Sequence, residues 1–297
     1  MLKAKAAWRL ALLVASFTLL PMTYVAAQEG GPPDSMPEAH NGPHIFSTRG
    51  GSKSTGKLLV DHGGPVLPIS NVHGIYWGSF GSSDIPAALG EFFSGFGSSH
   101  YSNISTQYMR GASNPQASYT TLVNDFSSPP SSSPSVGTIV NEACSAISGA
   151  GRVPDAIGIY VVATSNFPNG ANYCGWHSFG TCGSQTIAVV YLPNVTGVSG
   201  CLITPLAATN TNFPNPYSAS AQSMANIAAH EMSETITDQQ LSAWFDSSGQ
   251  EIGDKCAWMF SNPVATYQPV HMVEGAGRVV ERQQRGIMYP IEVARSL

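Results

Sequence analysis

The stretch AIGIYVVAT, residues 156–164, is almost wholly apolar and rich in β-branched side chains. A strand with one wet face would alternate polar and apolar residues, and this one does not. The pattern therefore predicts a central strand covered on both faces. QTIAVVYLP (185–193) has the same character, VHGIYWGSF (72–80) is a buried-strand pattern, and SYTTLVNDF (118–126) supplies a further strand. Helical signals lie between them. DIPAALGEFFSGFGSS places Asp84 as an N-cap and Pro86 in the first turn, and SVGTIVNEACSAISGAG is a helix ended by glycine. SASAQSMANIAAHEMSETITD, from Ser218 to Asp238, predicts a long third helix. The resulting order is strand, helix, strand, helix, strand, strand, long helix. That order predicts a single α/β domain with a mixed sheet, and it parallels the order of elements in a zincin-type catalytic domain.

The chain of 297 residues opens with MLKAKAAWRLALLVASFTLLPMTYVAAQ. Lys3, Lys5 and Arg9, a short apolar run and the small residues Val25 and Ala27 read as a signal peptide over 1–27, cleaved after Ala27. Residues 28–56 are rich in Gly, Pro and Ser and read as a flexible lead-in; 57–260 is the expected folded domain. Residues 261–297 form an atypical tail holding Arg278, Arg282, Arg285 and Arg295, which reads as a solvated, disordered extension or as a shifted reading frame. Losing the three basic leader residues takes the formal charge from −5 to −8, which argues against a sequence-independent grip on nucleic acid. No second apolar run is long enough to span a bilayer. All five cysteines lie downstream of the leader, where an oxidising compartment favours disulfides. The short spacing in CGWHSFGTC suggests Cys174 with Cys182, which leaves Cys201 to pair with Cys256 and Cys144 over.

Chemistry concentrates on the third helix. AAHEMSETITD resembles the H-E-x-x-H motif of zinc peptidases, but its fifth position is Glu234. Residues four apart share a helix face, so His230, Glu234 and Asp238 form one polar stripe, with Glu231 displaced by about 100°. Zinc accepts carboxylate as well as imidazole, so His230 and Glu234 are an admissible ligand pair. Glu231 then stands where a general base stands in the peptidase motif. A third ligand is needed: Asp254 is the choice carried forward, with Glu251, Asp238 and His177 as alternatives. The competing expectation is a buried hydrogen-bonded cluster that knits the helix to the following hairpin. DSSGQE lacks the alternating acids of an EF-hand and predicts a plain glycine turn.

Five segments taken in order, DHGGPVLPISNVHGIYWGSF, AIGIYVVATSNF, YCGWHSF, AAHEMSETITD and LSAWFDSSGQEIGDKCAW, resemble the exordium or phosphate-induced protein family over residues 58–258. The resemblance implies a secreted, cell-wall-associated protein with a role in growth or cell-wall signalling, and it lends no catalytic mechanism. The chain departs from that family at its C-terminus, which lacks the expected Trp and Cys. Two functions follow as expectations: a secreted protein that binds a cell-wall or surface partner, or a zinc-dependent extracellular hydrolase acting on a peptide substrate.

Overall fold

The computed structural model describes residues 42–48, 57–99, 101–111, 113–203 and 217–258, all within one compact unit, Glu38–Leu297. The expected signal peptide, its cleavage site and the tail from residue 261 lie outside the described residues.

Among the described residues, eight strands and three α-helices follow in order. They are β1 (His44–Ser47), β2 (Val60–Asp61), β3 (Ile69–Trp77), α1 (Ile85–Phe96), β4 (Gln116–Asp125), α2 (Val136–Gly149), β5 (Gly158–Thr164), β6 (Tyr173–Cys182), β7 (Gln185–Pro193), α3 (Ala219–Thr237) and β8 (Trp244–Phe245). The main sheet has six strands in the order β1-β6-β7-β5-β3-β4, and β2 pairs with β8 separately. Strands β4, β3, β5 and β7 run parallel, while β6 is antiparallel to β7 and β1 antiparallel to β6. The fold is a single α/β domain with a mixed sheet, as the sequence order predicts.

The two-sided burial predicted for β5 and β7 is explicit. Ile159, Val161 and Ala163 of β5, with Ala188, Val190 and Leu192 of β7, pack in the cluster that contains α1 and α3. The alternating residues Tyr160, Val162, Ile187, Val189 and Tyr191 pack instead with α2. Period-two side chains thus feed two cores, one on each face of the sheet. Each fully buried aliphatic side chain contributes roughly 1.5–3 kcal/mol.

Local signals place the helices. Ser135 caps α2 by accepting from the Thr138 N–H, and Ser218 caps α3 by accepting from the Ala221 N–H. Asp84 occupies the N-cap position of α1 but makes no side-chain cap there. Its carboxylate instead accepts from the backbone N–H and hydroxyl of Ser218, at 2.6 and 2.7 Å, which ties the start of α1 to the start of α3.

Two sequence expectations need correction. Residues 44–47, assigned to a flexible lead-in, are an edge strand of the main sheet, so the domain begins before residue 57. The segment CGWHSFGTC is not a disulfide loop but most of β6, which turns at Gly183 into β7. Eight residues of extended strand separate their Cα atoms by about 26 Å, far beyond disulfide reach. The bridges are Cys144–Cys182, which joins α2 to the end of β6, and Cys174–Cys201. Cys144, which the sequence reading leaves over, is therefore bridged.

On α2, Glu142 is half-buried. Its partial burial, with the charge and hydrogen bond of Asp125, raises its pKa from 4.5 to about 7. The unfolded chain releases this proton near pH 4.5 and the folded protein near 7, so the group's effect is a loss of stability as pH rises between those values. Glu142→Gln is therefore expected to match the parent at pH 4 and to melt higher at pH 8. Equal melting curves at pH 8 would count against the raised pKa.

Candidate metal centre

Helix α3 is buried along its length, although its sequence is polar. Hydroxyls solve part of that problem locally: Ser233, Thr235 and Thr237 donate to the carbonyls of Ala229, Glu231 and Ser233, four residues back. The imidazole and carboxylates of His230, Glu231 and Glu234 are not satisfied by the helix alone, although His230 Nε2 lies 3.1 Å from Glu234 Oε1 one turn on. They must find partners across the fold.

Those partners come from two other places. His44 on β1 lies directly opposite His177 on β6 in the antiparallel register, and their ring centroids are 5.5 Å apart. After β8 the chain turns at Gly249 and returns with Glu251 and Asp254. The turn is the plain glycine turn predicted: Asp246 accepts from the backbone N–H groups of Ser248 and Gln250 and from Lys255 Nζ. Three histidines and four carboxylates converge, and all but His44, whose side chain is 13% exposed, are buried.

Two glycines permit this convergence. A Cβ at Gly253 would stand 2.7 Å from both Glu234 Oε1 and His230 Nδ1, so only glycine lets the Glu251–Asp254 segment close over the helix. At Gly175 a Cβ would lie 2.7 Å from Ile227 Cγ2 and 3.1 Å from the Tyr191 carbonyl oxygen, so its absence brings β6 and His177 down onto α3. Phe46 stacks on His230 at 3.9 Å and on Trp258 at 4.8 Å, forming an aromatic wall beside the cluster.

The expected ligands His230, Glu234 and Asp254 are brought together: His230 Nε2 is 3.1 Å from Glu234 Oε1 and 3.9 Å from Asp254 Oδ1. Among the described residues, two sets of three donor atoms lie within 4.8 Å of one another: His44, Glu234 and Asp254, and His177, Glu231 and Glu234. Glu231, the expected general base, thus sits among potential ligands, and its Oε2 is 3.2 Å from His177 Nδ1. Asp238, an alternative third ligand, belongs to neither set. It ends α3 and accepts from the Ser242 and Ala243 N–H groups, while burial pushes its pKa up to about 6.

Sequence reasoning kept His177 as an alternative and missed His44 altogether. The available signal was the apolar pair Ile45-Phe46 between Gly-Pro and a glycine-rich run, the mark of a short strand.

Burial and close neighbours shift the acids and bases of the cluster. Burial, then the charges of Glu234 and Asp254, push the Glu231 carboxyl well above the usual range, against an opposing Phe46 N–H. Burial and four neighbouring carboxylates do the same to Glu251. Burial, with His44 and His230 nearby, keeps His177 neutral, the form that ligates a metal. Burial also opposes charge on His44 and Asp254, yet their mutual hydrogen bond at 2.8 Å and neighbouring charges prevail, lifting His44 to about 9 and lowering Asp254. Six buried atoms of this cluster have no hydrogen-bond partner: His177 Nε2, His230 Nε2, Glu231 Oε1, Glu234 Oε2 and both oxygens of Glu251. Such a concentration of unpaired polar atoms is costly unless an ion supplies the missing charge. Mixed imidazole and carboxylate donors suit zinc or another divalent transition ion.

No known family model, curated protein or solved structure matches the chain. Function therefore rests on the site's own chemistry.

Proposed function

We propose that this is an exported, exordium-like protein whose fold is held by a buried divalent metal, with zinc the first choice, and which acts by binding a cell-wall or surface partner. The observation that carries the metal is the convergence of His44, His177, His230, Glu231, Glu234, Glu251 and Asp254 with six unpaired buried donor atoms. A catalytic zinc keeps one position open to water and substrate, whereas these side chains are almost entirely enclosed, which favours a structural ion. Two disulfides support an extracellular setting. No helix among the described residues is long and apolar enough to cross a membrane. Metal analysis of the secreted protein after dialysis tests the reading: at least one divalent ion per chain is expected, and none would end it.

One observation favours the hydrolase reading. Glu231 and His177 form a buried acid–base pair beside the His44, Glu234 and Asp254 set, where a base could take the proton of a metal-bound water. If the protein cleaves peptides, Glu231→Gln is expected to reduce turnover by about 10²–10⁴ while the ion on His44, Glu234 and Asp254 stays. His230→Ala should weaken that ion's binding through loss of the group beside Glu234. A wild-type protein loaded with zinc that cleaves no peptide library would leave only the binding protein.

A further inference from the structure

Resting on the metal reading above, we infer that the centre holds two divalent ions bridged by the Glu234 carboxylate. The two sets of converging donors are each complete enough to seat an ion, and they share only Glu234. Its Oε2 has no hydrogen-bond partner and lies 3.7 Å from His44 Nε2 and 3.5 Å from His177 Nδ1. Donors around one ion at about 2.0–2.1 Å lie roughly 3.0–3.4 Å apart, so these spacings need only small closure. One ion would take His44, Asp254 and Glu234, with His230 Nε2 close to the other oxygen of Glu234. The second would take His177, Glu231 and Glu234.

Glu251 lies on the far side of both imidazoles from Glu234. Its Oε1 is 3.2 Å from His44 Nδ1 and its Oε2 is 3.6 Å from His177 Nε2, each the ring nitrogen facing away from Glu234. A carboxylate behind a ligating histidine accepts its remaining N–H and so selects the tautomer that faces the metal. Here one carboxylate stands behind both rings. The acidity of the cluster also suits a pair. Glu231, Glu234, Glu251 and Asp254 carry four negative charges when ionised, with Asp238 a fifth buried carboxylate beside Glu251, so ligation by neutral imidazoles leaves charge enough for two divalent cations. Bridged pairs of this kind place their ions about 3.5–4 Å apart.

Equilibrium dialysis of the mature chain against buffered Zn²⁺, followed by elemental analysis, is expected to give two ions per chain. Glu231→Gln and Asp254→Asn should each retain one, and Glu234→Gln none. Circular dichroism checks that each variant is folded. Mn²⁺-loaded wild-type protein offers a test independent of mutation, because paired ions show an exchange-coupled electron paramagnetic resonance spectrum. One ion per chain at saturation, or an isolated Mn²⁺ spectrum, overturns the pair and leaves the single-ion reading intact. Two ions retained in folded Glu234→Gln overturn the bridge. Zero ions in the wild type overturn both readings.

Discussion

Removing metal with a chelator is expected to lower the melting temperature by about 8–16 °C, and adding Zn²⁺ back should restore it. A ligand present at about a thousand times its dissociation constant stabilises the folded state by roughly 4 kcal/mol. A domain of this size shifts by about 2–4 °C for each kcal/mol. The source is visible in the site: Glu231 and Glu251 are fully buried beside other carboxylates and must take up protons or repel one another once no cation compensates them. The Glu251–Asp254 segment would loosen first. It is held against α3 through Asp254 N–H to Glu234 Oε1 at 3.2 Å and His44 to Asp254. Differential scanning fluorimetry with and without chelator is sufficient. An unchanged midpoint, in protein shown to contain metal beforehand, would mean that the ion contributes nothing to the fold.

The second large effect concerns Cys174 and Cys201, which are fully buried and 27 residues apart. A loop of that length lowers unfolded-state entropy by about 3–4 kcal/mol in the chain-entropy account. The double replacement Cys174→Ala with Cys201→Ala is thus expected to lower the melting temperature by about 6–16 °C. Alanine is preferred to serine because a buried hydroxyl would add its own cost. Peptide mapping under non-reducing conditions tests the connectivity itself: fragments joining Cys144 to Cys182 and Cys174 to Cys201 are expected. A fragment joining Cys174 to Cys182 would contradict the strand assignment of β6 as well as the bridge.

Both predictions turn on residues that the sequence displays but cannot connect. His230 and Glu234 were legible as a pair because four residues make about one helical turn, whatever the rest of the chain does. The serine cap and the hydroxyl-rich run of α3 are equally local. His44 was not legible as part of the site. Its strand is only four residues long, sits among Gly and Pro, and becomes a strand by pairing with a segment more than a hundred positions away. Cys174 and Cys182 misled for a related reason: nearness in sequence implies nearness in space for a loop, and the opposite for an extended strand.

The amino-acid sequence by itself determined the α/β class, the central strands and the face of α3 that carries the chemistry. These follow from side-chain periodicity, β-branching and capping, which act over a few residues. The tertiary structure alone decided the cysteine pairing, the alignment of His44 with His177, and the return of Glu251 and Asp254 over the helix. Each depends on strand register or on close approach at Gly175 and Gly253, contacts between segments distant in sequence. A mixed site built from such contacts exists only when the sheet, helix and returning loop are all in place, because no single element carries enough donors to enclose a metal.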